Sequence, residues 1–252
     1  SALVVGVEKM RDLEVPEASL ALSMAESAEY TQFIGASFLS LNALLARLYQ
    51  ETYNVTREEL SAFPVIAHQN AATAEHAQFR KAISANDVSR SPLVSDPLRL
   101  LDCAPMGDGA AAVLLTSDKL LDGDEDIVEV LSSKISTNIF SIYEREDMLT
   151  FSATKDATSK AFSEAGIGVS DVDVLEIHDA FSVTAALSVE AMGFSKPGGG
   201  AKDAAAGVYS LKGRYPALTF GGLKARGHPV GATGLYQIAE LWLQLKGRGG
   251  LN

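Results

Sequence analysis

The sequence predicts an α/β protein built as two packed halves, and three observations carry that expectation. Its 252 residues suffice for one large core or two modest ones, since single cores seldom grow past about 250–300 residues. Short apolar runs suited to strands, at 3–7 and 110–115 in the first half and at 127–135 and 172–177 in the second, alternate with stretches of helical periodicity. The last of those runs passes straight into His178, a strand-to-helix turn of the kind where open α/β sheets present their chemistry.

The elements follow in chain order. Residues 3–7 read as a buried strand and not as a leader, because no basic segment, apolar stretch and cleavage site stand there. A polar link through Pro16 leads to a long helical region over 26–53 with a break at Gly35, where Phe38, Leu41, Leu44, Leu45 and Leu48 form a stripe. Thr56 with Glu59 three residues on is a capping box that opens another helix, bounded by Pro64. Residues 65–83 are alanine-rich and helical. They carry His68 and His76, eight apart and so unsuited to a side-by-side metal pair, and both read as surface or helix-packing groups.

Gly107 and Gly109 turn the chain into the strand at 110–115. The acidic run 122–126 lacks the ligand spacing of a calcium loop and reads as a solvated link between halves. Beyond the strand at 127–135 come a helix over 153–165 stopped by Gly166, the strand at 172–177, and a helix from His178 to Met192 ended by Gly193. The glycines 198–200 lack the lysine and hydroxyl of a phosphate loop and read as a flexible connection. The last helix, from 232 to 245, is apolar enough to be buried on most sides. The chain thus opens inside a strand and ends just after a helix, which suggests a larger domain lacking both ends.

Charge and composition exclude several functions. A net charge of −11 argues against nucleic-acid or anionic-membrane binding, and no apolar run is long enough to span a bilayer. Cys103 is the only cysteine, so no intrachain disulfide or cysteine zinc cluster is possible, no metal site is expected, and a reducing compartment is the natural setting. Between Ser195 and Arg226, however, six cations (Lys196, Lys202, Lys212, Arg214, Lys224, Arg226) face one anion, Asp203. Such a basic strip suits a polyanionic small ligand, with a solvated loop as the alternative.

That strip runs into FGGLKARGHPVGATG at 220–234, where His228 stands between Gly227 and Pro229. Glycine permits positive φ or close approach of a ligand, and proline restricts the residue before it, so the imidazole has few directions open to it. The helix that follows offers amide donors at its start. A histidine that merely braces a tight turn fits the spacing equally well.

Taken together, HDAF at 178–181, GGLKARGHPVGATG at 221–234, GDGAAA at 107–112 and GVEKM at 6–10 resemble the thiolases in nearly the whole chain, and HDAF is similar to the sterol-carrier-protein-type and archaeal-type branch. The resemblance implies a five-layered αβαβα fold of two similar halves, here 1–122 with a helical loop region over about 26–100 and 123–252 without its last strands. It implies Claisen condensation of acetyl-CoA or thiolysis of 3-ketoacyl-CoA, with coenzyme A as substrate or product and no permanently bound cofactor. His228 would activate a nucleophilic cysteine and His178 would serve an oxyanion hole. Gly227, Gly231, Phe181, Met106, Lys224 and Arg226 would contact the acyl-CoA. Both of the family's cysteines would lie outside the sequence, one before Ser1 and one after Asn252, so that the chain alone would be inactive, and Cys103 sits where the family has a variable residue. Phe220 departs from the small polar residue usual there. A homodimer or homotetramer, an accessory acyl-transfer protein and a cytoplasmic location, or a peroxisomal one in a eukaryote, would follow. The alternatives are a non-catalytic thiolase-like subunit binding acyl-CoA or a partner protein, and a ketoacyl-synthase-like condensing enzyme.

Overall fold

The computed structural model describes residues 1–121 and 127–252, so the acidic link predicted at 122–126 lies outside the described residues. Strand β1 (Ala2–Glu8) pairs antiparallel with the strand at Gly109–Leu115, in a register running from Ala2 opposite Leu115 to Glu8 opposite Gly109. Between them in sequence stand α1 (Val15–Ser23), a π-helical turn at Ala28–Gln32, α2 (Phe38–Tyr53), α3 (Arg57–Leu60), α4 (Ala62–Ala71), α5 (Ala85–Arg90) and the short hairpin β2 (Leu93–Ser95) with β3 (Leu98–Arg99). The strand Gly109–Leu115 is therefore β4. After it come α6 (Ser152–Ala165), α7 (Ser182–Ala191), α8 (Gly200–Ala205), a π-helical turn at Gly222–Arg226 and α9 (Val230–Leu245).

The β1–β4 ribbon lies against α9, and the contact is backbone on backbone. A side chain at Gly6 would meet the Gly231 carbonyl at 2.6 Å, and one at Gly231 would meet the Val7 carbonyl at 2.7 Å. The loop entering α9 is thereby pinned to the end of β1. On the other face of the ribbon Leu3, Val5, Val7 and Leu114 are exposed.

One continuous apolar core joins the α2–α4 region to the second half. Tyr49, Leu60, Phe63 and Ala67 pack with Val183, Leu187 and Val189 of α7, with Ala201 and Ala204 of α8, and with Tyr209, Leu218 and Ala225. Thr56 caps α3 as its capping box predicts, its hydroxyl accepting from the Glu59 amide while the Glu59 carboxylate accepts from the Thr56 amide.

Several expectations are corrected. Residues 127–135 form no ladder among the described residues. Their apolar side chains Ile127, Val130, Leu131 and Ile135 are exposed, and the segment meets α6 through Ser132 and Lys134 on Glu164 and Ser136 on Asp156. Residues 172–177 contribute only a parallel bridge from Leu175 to Ala217. An apolar run marks a segment fit for a strand, but a ladder also needs a neighbour in register. The helix predicted over 65–83 stops at Ala71, since Gln78 and Phe79 donate instead to the carbonyls of Arg226 and Ala225 at 3.0 and 2.9 Å. Tertiary hydrogen bonds there override alanine propensity.

Pro64 does not bound a helix but sits in the first turn of α4, where a missing N–H costs nothing. The helix expected from His178 begins only at Ser182, α1, α5 and α8 were not foreseen, and α9 buries only Ala232, Thr233 and Glu240. Gly198–Gly200 is no flexible connection. Glu190 accepts from the amides of Gly198 and Gly200 and from the Tyr49 hydroxyl, and a side chain at Gly200 would strike the Ala186 carbonyl at 2.6 Å.

Candidate active site

Two loops converge, one leading into α7 and one into α9. The first carries His178 and Asp179. It is held alongside residues 103–104 by a bridge between Cys103 and Phe181 and by the Ala104 amide on the Ala180 carbonyl at 2.8 Å. Asp102, fully buried, braces that segment by accepting from Arg57 at 3.0 and 2.5 Å, Ser182 Oγ at 2.8 Å and the Arg99 amide at 2.8 Å. The Cys103 thiol is pushed up to about 12, by burial first and by Asp102 second, which makes it an inert thiol.

The second loop begins in the π-helical turn and reaches Gly227 at a φ of 115°, a conformation that favours glycine. A side chain there would also meet Gln78 Oε1 at 2.9 Å. Asp179 ties the loops together. Its Oδ1 accepts from the Leu223 amide at 2.7 Å, its Oδ2 lies 3.3 Å from Lys224 Nζ, and the same ammonium donates to the Asp179 carbonyl. Both side chains of this ion pair are wholly buried. Met106 forms a parallel bridge with His228, closing the floor.

This framework brings His178 and His228 together, with ring centroids 5.0 Å apart and planes at 82°. His178 keeps an exposed edge and His228 is half-buried. Both imidazoles are held toward the neutral form. His228 is lowered to about 4, by burial first, then by His178, Arg226 and Lys224, against an opposing pull from Asp179. His178 is lowered by burial, and by Lys224 and Arg226, against the same Asp179. Nδ1 of His228 lies 2.8 Å from Thr233 Oγ1, and that hydroxyl lies 2.9 Å from the Pro229 carbonyl.

Behind the rings is a buried charge cluster. Arg226, two residues before His228, has its Nε 3.0 Å from Glu240 Oε1, which also meets His76 Nε2 at 2.8 Å. Arg226 further stacks on Tyr236. Glu176, two residues before His178, accepts from the Thr219 amide at 2.8 Å, and its carboxyl is raised well above the usual range by burial and then by Glu240. A cavity of about 230 Å³ on this side is lined by Gly227 and Pro229 but not by His228, together with Arg11, His76, Gln78 and Arg226.

The placement of the remaining sequence-predicted residues is mixed. Phe181 sits half-buried at the start of α7, and the Gly231 amide is already bonded to Glu8 Oε2 at 3.0 Å. Lys224 and Arg226 correct the expectation of a solvent-facing basic strip, since their charges are spent inside on Asp179 and Glu240. Of the others, Lys202 donates to the Tyr53 carbonyl and Arg214 to that of Ser170. His68 is buried in α4 and stacks on Phe79, and His76 stays exposed with its Nε2 2.8 Å from Glu240 Oε1, so one packs within the protein and the other lies at its surface. Sequence reasoning passed over Thr233, Asp179, Glu176 and Glu240. The last two are carboxylates inside apolar runs, a pattern that signals buried pairing with a cation. Among the described residues no cluster of three or more His, Cys, Asp or Glu could hold a metal ion, and no helix is long and apolar enough to cross a membrane.

Comparison with known proteins agrees across the chain. The family model described as Thiolase, N-terminal domain matches residues 1–119, and the one described as Thiolase C-terminal domain-like matches residues 135–252. Acetyl-CoA acetyltransferases of Methanothermobacter thermautotrophicus and Methanocaldococcus jannaschii are each 39% identical, over 98% and 97% of this chain and 64% and 63% of their own lengths. Human sterol carrier protein 2 is 34% identical over 80% of this chain and 38% of its own. The chain thus spans a little under two thirds of the two acetyltransferases. Among solved structures, an Ltp2-ChsH2(DUF35) aldolase superposes with a TM-score of 0.83 at 22% identity, covering 98% of this chain and 65% of that one. Human mitochondrial 3-ketoacyl-CoA thiolase gives 0.66 at 16%, covering 98% and 66%.

Proposed function

Because this chain belongs to the thiolase family, we propose that it supplies the two histidines of an acyl-CoA C-acyltransferase that condenses acetyl-CoA or thiolyses 3-ketoacyl-CoA. The observation that carries the proposal is the meeting of His178 and His228, fifty positions apart, at 5.0 Å with perpendicular planes. Cys103, with its thiol raised to about 12, is poorly suited to be the nucleophile, and the family resemblance implies a reacting cysteine outside these 252 residues.

In thiolysis, His228 takes the proton of that cysteine through the ring nitrogen not engaged by Thr233. The thiolate adds to the 3-keto carbon, and the bond between C2 and C3 then breaks, its electron pair leaving as the enolate of acetyl-CoA. The enolate accepts a proton, and coenzyme A displaces the shortened acyl group from sulfur. His178, open to solvent and with no hydrogen bond of its own among the described residues, donates to the oxygen on which charge collects. A neutral His228 is the form able to accept the thiol proton, and its lowered proton affinity keeps it so at pH 7.

Acyl-CoA would approach the exposed edge of His178 near Phe181, Met106 and Gly227, with coenzyme A acting as substrate or product and not as a resident cofactor. The exposed apolar face of the β1–β4 ribbon supports assembly as a homodimer or homotetramer. The pairing of the Ltp2 aldolase with ChsH2(DUF35) supports an accessory protein. One cysteine in the whole chain suits a reducing compartment such as the cytoplasm.

The test is acetoacetyl-CoA thiolysis by the protein encoded in the full reading frame. His178→Ala is expected to lose about 10²–10³ in turnover and His228→Ala at least about 10², while the 252-residue chain alone turns over nothing. Undiminished turnover in His228→Ala overturns the proposal.

A further inference from the structure

A neutral imidazole is a base at only one of its two nitrogens, and which one is decided by the group bonded to the other. Three observations bear on that choice in His228. Its Nδ1 lies 2.8 Å from Thr233 Oγ1. The same hydroxyl lies 2.9 Å from the carbonyl of Pro229, four residues back along the first turn of α9. Thr233 is 1% exposed, so no water stands in for either bond.

A carbonyl can only accept, and a threonine hydroxyl has one proton to give. Both bonds are made only if Thr233 donates to Pro229 and accepts from His228, which places the imidazole proton on Nδ1 and leaves Nε2 with a free lone pair. The bond back to the i−4 carbonyl also restricts the threonine rotamer. We infer that Thr233 is a positioning residue that sets the tautomer of His228, holding Nε2 as the open base.

The other charged and titratable groups around the ring do not compete for this role. His178 and Asp179 on the loop before α7, and Lys224 and Arg226 in the π-helical turn, act on its proton affinity, whereas the hydrogen bond at Nδ1 is made with Thr233, whose hydroxyl accepts it. The thiolase reading gives the open nitrogen its use, and the inference rests on that reading for its purpose but not for its proof.

The measurement is the pair of ring ¹⁵N shifts of His228 at neutral pH, in the chain labelled at histidine, with assignment by loss of the signals in His228→Gln. Expected is a protonated Nδ1 and an unprotonated Nε2 in the wild type and in Thr233→Ser, with Nε2 gaining protonated character in Thr233→Val. A wild-type ring protonated at Nε2 overturns the inference whether or not any variant folds, and so does a Thr233→Val ring that keeps the wild-type pattern. In the full-length protein, Thr233→Val is expected to lower kcat about tenfold or more with KM little changed, and Thr233→Ser to restore it. Because the ring shifts need no turnover, a failed thiolysis assay with the expected shifts rejects the function alone, and normal turnover with unexpected shifts rejects the tautomer alone.

Discussion

His228 shows how a single residue responds to enclosure. An unfolded imidazole titrates near 6.5, whereas His228 in the fold titrates near 4. Between those values the unfolded chain binds more protons, so stability is fully present above about pH 6.5 and falls as the pH drops toward 4. His178 acts in the same direction. Thermal stability is therefore expected to fall on acidification through this window, and that of His228→Gln to fall less, as calorimetry across the pH range would show. The two buried glutamates respond oppositely to neutralisation. Burial and Glu240 raise the Glu176 carboxyl and so disfavour its charged form, and Glu176→Gln is expected to cost under about 1 kcal/mol. Glu240 balances Arg226 and bonds His76, and Glu240→Gln leaves a buried guanidinium uncompensated at about 3–5 kcal/mol. Urea unfolding of the two variants at pH 7 measures the difference.

At the scale of elements, the first turn of α9 decides where His228 points. Gly231 lies against the Val7 carbonyl, and Gly234, one turn further on, has nothing within 4 Å of where a side chain would begin. Helix propensity favours alanine over glycine at both by roughly 1 kcal/mol. At Gly231 that gain meets a 2.7 Å contact with backbone, and overpacking of that kind costs about 1–3 kcal/mol. Gly234→Ala is accordingly expected to raise Tm and Gly231→Ala to lower it and displace the His228 ring, readable as a change in the ¹⁵N shifts of His228. Gly227 shows why the turn before α9 was legible in advance. Its positive φ and its approach to Gln78 are the two uses of a glycine that the GHP stretch announces. No such signal announced the interior of 198–200, where glycine serves close packing against α7 and not freedom of movement.

For the molecule as a whole, local patterns carried the fold class and much of the helical content. The helix over 153–165, the last helix, which begins at Val230 where the pattern places its start at 232, the Thr56 cap and the break at Gly35 all rest on interactions within a few residues, and all are present. The pairing of two imidazoles was accessible only through the resemblance of two motifs to a known family, which the matches over 1–119 and 135–252 bear out. What the sequence by itself determined was thus the class and the family, and it singled out His178 and His228 as the candidates. Tertiary structure alone decided that Lys224 and Arg226 turn inward, that 127–135 forms no ladder among the described residues, and that Thr233 lies against Nδ1 of His228. The physical reason is range. A cap or a glycine turn is complete within about one helical turn of chain, whereas Lys224 meets Asp179 across 45 positions and His76 meets Glu240 across 164, distances over which periodicity carries no information.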